Sequence, residues 1–247
     1  MGSYRTALTV LIVDDDAFNR EGMQLFLAQE GFTVVEAGDD AAARLFATRV
    51  PFDAAVLDIS IPPHAGARAH ADQSLGIHLA RHLKEINPRL GIVLFSAYED
   101  RGREVLKLLE MGVVGLAYKL KGCRPSALLD ALKAVLAGRV VIDPEVTNAR
   151  DLADELIRRL TDEERPFIEH ALAHVLRLTP TEQRIVEFIA SSHTNEGMAE
   201  ELGMAPKAIE KHVSRVYDKL GLNDVPPHLR KVTLLTKAWL IRSLRAT

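Results

Sequence analysis

The sequence predicts a two-part protein: a five-stranded, doubly wound parallel sheet, then a helical connector and a four-helix domain. Three observations carry this. Short apolar runs alternate five times with helix-spaced segments through residue 138. Those runs are apolar throughout rather than alternating, the pattern of strands buried on both faces. After residue 143 every periodic segment is helical.

The first strand is Leu8–Val13, ending in Asp14-Asp15-Asp16. A helix over Ala17–Glu30 follows, with Phe18, Met23, Phe26 and Leu27 at helical spacing, and stops at Gly31. Thr33–Glu36 is a β-branched strand, Asp39–Val50 a helix ended by Pro51, and Ala54–Leu57 a strand ending at Asp58. Leu75–Ile86 is a helix, Gly91–Phe95 a strand ending at Ser96, and Arg101–Met111 a helix. Val113–Leu120 is a strand and Pro125–Ala137 a helix closed by Gly138. Arg139–Asp143 is a short extended piece. Asp151–Leu176 reads as a helical connector broken near Pro166, with Thr161 or Asp162 as a cap. In the last third, Thr179-Pro180-Thr181-Glu182 is a capping box opening a helix to about Ala190. Asn195–Leu202 ends at Gly203, Pro206–Leu220 ends at Gly221, and Leu229–Leu244 is the fourth helix. The domains expected are 1–138, a connector over 139–176, and 177–247.

Composition narrows the function. Apolar residues make up 47% and charged residues 26%, ordinary for a globular chain. The net charge is −3, so a nucleic-acid partner must meet a local patch. Residues 178–247 carry ten Lys and Arg against eight Asp and Glu, while the rest has an acidic excess. The lone Cys123 excludes an intrachain disulfide and a cysteine metal cluster. No apolar run approaches the ~18–20 residues of a membrane span, and no secretory signal is recognisable, so a cytoplasmic protein is expected.

Asp14, Asp15 and Asp58 fall at strand ends, and in an open parallel sheet strand ends converge on the ligand-binding edge. Gathered carboxylates repel one another unless a hard cation such as Mg²⁺ neutralises them. An Asp beside that cation suits phosphoryl acceptance. Ser96 offers a hydroxyl, and a lysine at the end of the fifth strand offers a point charge.

The runs Leu11-Ile12-Val13-Asp14-Asp15, Val56-Leu57-Asp58-Ile59-Ser60-Ile61-Pro62, Ser96-Ala97 and Tyr118-Lys119-Leu120-Lys121-Gly122 resemble the receiver domain of two-component response regulators, over residues 6–138. The resemblance implies a flavodoxin-like fold with Asp58 as phosphoacceptor. It implies Mg²⁺ held by Asp14, Asp15, Asp58 and the Ser60 carbonyl, Ser96 as switch hydroxyl and Tyr118 as switch aromatic. The lysine is ambiguous. Spacing from Ser96 and Gly112 suits Lys119, whereas the run to Pro125 favours Lys121; two apart in a strand, both point the same way. Pro62–Ser74 is an insertion of about ten residues for a βα loop. It holds His64 and His70, read as variable surface rather than metal ligands.

In the last third, two helices joined by Gly203-Met204-Ala205 have the spacing that presents a second helix to a major groove. That helix carries Lys207, Lys211, Ser214, Arg215 and Lys219, the basic residues four apart. Leu178-Thr179-Pro180-Thr181-Glu182, Ala199-Glu200-Glu201-Leu202-Gly203 and Lys211-His212-Val213-Ser214-Arg215-Val216-Tyr217-Asp218-Lys219-Leu220-Gly221 resemble the LuxR-type DNA-binding domain over residues 175–245. These five residues are its expected contacts to double-stranded DNA, although Ala208, Glu210 and Glu196 depart from the family pattern. The resemblance implies a dimer helix at Leu229–Leu244, with Leu235 and Trp239; a plain core helix fits the same spacing. Together the parts resemble a NarL/FixJ response regulator. A histidine kinase would phosphorylate Asp58, and phosphorylation would drive a homodimer onto DNA, with the connector's apolar face a possible added contact. Such a chain is no enzyme beyond its own phosphoryl transfer. Two rivals are a phosphorylation-independent DNA-binding regulator and a Mg²⁺-dependent phosphohydrolase on Asp14-x-Asp16, which would want Thr or Val where Phe18 stands.

Overall fold

The computed structural model describes residues 7–70, 74–97, 102–146 and 148–246. They form two compact units. One comprises the described residues up to Val105 with Gly115–Val146; the other comprises Leu106–Val114 with everything after residue 147.

The first unit is built on a parallel sheet of β1 (Thr9–Val13), β2 (Thr33–Ala37), β3 (Ala54–Leu57), β4 (Gly91–Ser96), β5 (Leu116–Leu120) and β6 (Val140–Ile142), in the order β2-β1-β3-β4-β5-β6. Alternate residues face opposite sides. Val10, Ile12, Val56, Val93 and Ala117 pack with Met23 and Leu27 of α1 (Ala17–Gln29) and with Leu128 and Leu132 of α5 (Pro125–Leu136). Leu11, Val13, Leu57 and Leu94, on the other parity, are equally buried. On that face α2 (Asp40–Ala47) packs on α3 (Leu75–Ile86); α4 (Gly102–Glu110) follows β4 along the chain. Burial on both sides is why the strands read as unbroken apolar runs.

The sheet has six strands where the sequence indicated five. The sixth is the extended piece seen at 139–143. It adds to the free edge of β5, with Tyr118 paired to Ile142 and the Asp143 N–H donating to the Tyr118 carbonyl. Three half-buried residues are too few to produce a periodic signal.

The second unit contains α6 (Ala149–Arg158), α7 (Arg165–His174), a single 3-10 turn at Val175–Arg177, α8 (Pro180–Ala190), α9 (Asn195–Leu202), α10 (Pro206–Lys219) and α11 (Lys231–Arg245). The capping box at Thr179 forms as the sequence predicts: the Glu182 N–H donates to the Thr179 Oγ1, and Glu182 accepts from the Thr179 N–H. Thr194 caps α9, Gly203 closes it at φ 61°, and Pro206 opens α10.

The connector helices are not free-standing. α6 and α7 pack on α11, which also packs on α8. Leu152, Leu156, Leu160, Ile168 and Val175 are buried, as are Leu234, Leu235, Leu240, Ile241 and Leu244 of α11. The half-buried pair Lys237–Glu164 (2.6 Å) ties α11 to the start of α7. Most of the connector's apolar positions are therefore covered within this unit, while Leu176 is exposed. Leu235 of the expected dimer helix is likewise buried in this core. Among the described residues no helix is long and apolar enough to cross a membrane.

Candidate phosphorylation site and nucleic-acid interface

Strand register builds the acidic site. β1 and β3 run side by side with Val13 opposite Leu57, so the next residues, Asp14 and Asp58, emerge together. The Asp58 N–H donates to the Val13 carbonyl at 2.8 Å, and the Asp14 N–H to the Ala37 carbonyl at 3.3 Å. Across β4 and β5, Ser96 lies opposite Leu120, and the Lys121 N–H donates to the Ser96 carbonyl at 2.7 Å. Four loops thus meet at one edge, at the point where strand order reverses.

Lys121 Nζ lies 2.7 Å from Asp14 Oδ2 and 2.8 Å from Asp58 Oδ2. The remaining oxygens are held by backbone: Asp14 Oδ1 accepts from the Asp16 N–H at 2.9 Å, and Asp58 Oδ1 from the Ser60 N–H at 3.1 Å. Burial raises the Asp58 carboxyl above the ordinary aspartate value, against the pull of Lys121 and the Ser60 N–H, and the Asp14 charge adds to the rise. For Lys121, burial works against the charge, but the two carboxylates outweigh it and hold the ammonium above the ordinary lysine value.

Lys119 goes elsewhere. Its Nζ pairs with Asp143 at 2.8 Å, beside the short sixth strand. The strand ends at Leu120, and Lys121 leads into the turn at Gly122 (φ 91°), so the parity that made the two lysines equivalent stops between them. Ser96 and Tyr118 are completely buried.

Asp14, Asp15 and Asp58 each place a carboxylate oxygen within 4.8 Å of the others, the one such metal-capable grouping among the described residues. Three carboxylates face a single ammonium. That surplus of negative charge and the all-oxygen donors fit a hard divalent cation. Asp16 is not part of this set: its Oδ1 accepts the Phe18 and Asn19 N–H groups as the cap of α1. His64 and His70 are exposed on the β3–α3 loop. The start of that loop is anchored, because the Pro62 and Pro63 carbonyls accept the Asp40 and Ala41 N–H groups at the N-terminus of α2. Residues 71–73 of the insertion lie outside the described residues.

Two residues that the sequence reading passed over support the site. Arg20 reaches from α1 to the Asp14 carbonyl. Gly76, in the first turn of α3, donates its N–H to the Ile59 carbonyl, and a Cβ there would lie 1.9 Å from the Asp58 carbonyl oxygen. A glycine inside a helical pattern was the available signal for such a close approach. Gly76→Ala is expected to cost about 3 kcal/mol or more by forcing the Asp58–Ile59 backbone away. Calorimetry of the full chain checks this, and an unchanged transition would contradict it.

In the second unit, Lys207, Lys211, Ser214 and Arg215 lie exposed on α10, whereas Ile209 and Val216 face its core. Lys219, expected on the same stripe, is ion-paired, and its side chain is 37% exposed. Its Nζ donates to both oxygens of buried Glu182, at 2.8 and 2.7 Å. A step of four residues overshoots a 3.6-residue turn by about 40°, so three steps from Lys207 carry position 219 round toward α8.

Comparison with known proteins meets this geometry. A model of the response regulator receiver domain matches residues 10–133, half of the chain, and a model of the LuxR family of bacterial regulatory proteins matches residues 176–226. The probable transcriptional regulatory protein NarL of Mycobacterium tuberculosis is 30% identical over 218 residues, spanning 87% of this chain and 88% of that protein. The chain belongs to the NarL/FixJ-type response regulators. The transcriptional regulatory protein DegU of Brevibacillus brevis is 28% identical over 226 residues, 88% of this chain and 89% of its own. A solved LuxR-family two-component response regulator from Aurantimonas is 30% identical, with a TM-score of 0.46 over 60% of this chain and 97% of its own. As a NarL/FixJ-type regulator the chain is a transcriptional regulator, its receiver carrying the acidic edge and its LuxR-type domain carrying α10.

Proposed function

We propose that Asp58 accepts a phosphoryl group from a partner histidine kinase and that this controls dimerisation and DNA binding. The observation that carries the reading is the Lys121 ammonium bridging Asp14 and Asp58. It marks where an additional anionic group would be received. An Asp58 oxygen forms the new bond to phosphorus while the donor's bond to phosphorus breaks and its electron pair leaves with the donor nitrogen. Lys121 and the Ser96 hydroxyl bind phosphoryl oxygens. Asp14, Asp15, Asp58 and the Ser60 carbonyl would hold Mg²⁺, which when bound supplies positive charge against the incoming phosphate. Buried Tyr118, next to the β5 end, is the aromatic that responds to the change at Ser96. The kinase and the DNA target imply a cytoplasmic location.

Lys207, Lys211, Ser214 and Arg215 face double-stranded DNA from α10, gripping phosphates and giving salt-dependent affinity. Exposed Glu196 and Glu210 lower the local charge, so contacts depend strongly on the few cations present. The phosphohydrolase reading loses support because Asp16, its second acid, caps α1.

Beryllofluoride, an acyl-phosphate mimic, tests the switch. With Mg²⁺ it is expected to shift the chain from monomer to dimer in light scattering and to strengthen binding to selected DNA. Arg215→Ala is expected to weaken that binding and lower the salt slope by about one. DNA binding and oligomeric state indifferent to beryllofluoride would favour the phosphorylation-independent regulator instead.

A further inference from the structure

The Asp15 carboxylate stands apart in the acidic site. Asp14 and Asp58 are buried and held by Lys121 and backbone N–H groups. Asp15 is exposed, and no group among the described residues holds its carboxylate. Its direction is therefore set by its backbone. The peptide carrying it begins at the Asp14 carbonyl, which lies past the end of β1 where no ladder partner fixes it.

Arg20 supplies the missing anchor. Its Nη1 donates to the Asp14 carbonyl at 2.6 Å. Its Nε faces Glu36 Oε2 on β2 at 3.7 Å, and the guanidinium lies against Gly38 just beyond that strand. With the Asp14 N–H on the Ala37 carbonyl, both peptide groups flanking Asp14 are pinned to the β2 end. A rigid planar fork that donates to one carbonyl while its other edge lies beside a carboxylate is what distinguishes arginine from lysine here.

We propose that Arg20 is a positioning residue for the cation site: by clamping the Asp14–Asp15 peptide it aims the Asp15 carboxylate. This rests on the reading of Asp14, Asp15 and Asp58 as cation ligands. The charge of Arg20 sharpens the test. A guanidinium near a cation site repels the cation, so removing it would tighten binding if charge alone mattered. Removing a clamp loosens binding, and outer partners of ligands are typically worth about tenfold or more in affinity.

The experiment titrates Mg²⁺ into the full chain by calorimetry, with thermal melts recorded alongside. Arg20→Gln is expected to weaken Mg²⁺ binding about tenfold. Arg20→Lys, which keeps the charge without the fork, and Glu36→Gln, which removes the brace, are expected to weaken it less; they carry the test should Arg20→Gln not fold. In an Asp15→Asn background, where there is no carboxylate to aim, Arg20→Gln is expected to cost no more than about twofold. Equal losses in both backgrounds would mark Arg20 as a general structural staple and overturn the proposal. So would unchanged or tighter binding in all three single variants. No Mg²⁺ binding by the wild-type chain would overturn the cation reading itself, and the proposal with it.

Discussion

Lys121→Met is expected to destabilise the receiver by about 3–5 kcal/mol in Mg²⁺-free buffer, the range for stripping the partner from a buried ion pair. Lys121 touches both Asp14 and Asp58, whose side chains are 1% and 7% exposed, so its loss leaves two buried carboxylates facing each other with no cation. The loss should shrink as pH falls, because protonated carboxyls need no partner. It should shrink again on adding Mg²⁺, if the acids bind it. Phosphoryl uptake from a small donor should fall sharply. The paired control is Lys119→Met, which breaks only the contact with Asp143 and should leave uptake intact. Calorimetric unfolding with and without Mg²⁺ reads the stability, and equal behaviour of the two variants would remove the distinction drawn between the lysines.

The second large effect lies away from the site. Lys84, in the last turn of α3, is 8% exposed, and its Nζ donates to the Pro88 carbonyl at 3.3 Å. Burial lowers its pKa to about 7. The sign follows from linkage. Well above the ordinary lysine value of 10.5 the amine is neutral whether the chain is folded or unfolded, so burial costs nothing. As pH falls toward 7 the unfolded chain gains a proton that the folded chain refuses, and stability drops, on the order of 4 kcal/mol by pH 7. Below about pH 7 both forms are charged and the penalty levels off. Lys84→Met should therefore stabilise the receiver at pH 7 by about 1–3 kcal/mol, less than the full penalty because the hydrogen bond is lost. The gain should be much smaller at pH 10 and vanish only above the ordinary lysine value of 10.5. A variant equally destabilised at pH 7 and pH 10 would show that the buried amine carries no such penalty.

The sheet and its acids were legible because both depend on local pattern. Strands buried on two faces read as apolar runs, and the βα order brings Asp14 and Asp58 to one edge with no long-range information. What pattern could not reach was the partner. The lysine question turned on where β5 ends, which Gly122 and the contact between Lys119 and Asp143, 24 residues away, decide. Lys219 reads as part of a basic stripe, and no spacing in the sequence signals its ion pair with Glu182, 37 residues away. The apolar spacing of α6 and α7 was plain, but the same spacing serves a connector, a dimer seam or a core, and only packing on α11 distinguishes them. Arg20 carried no spacing signal, since its role rests on one backbone carbonyl.

The central claim is that the Asp58 carboxylate, seated between Lys121 and the acidic pair, is the phosphoacceptor. Intact mass of the wild-type chain and Asp58→Asn, each incubated with Mg²⁺ and a small phosphodonor, tests it most directly. The account predicts a gain of one phosphoryl group, about 80 Da, on the activated carboxylate of the wild type and none on the variant. A gain of equal size on Asp58→Asn, or none on either protein, would contradict it.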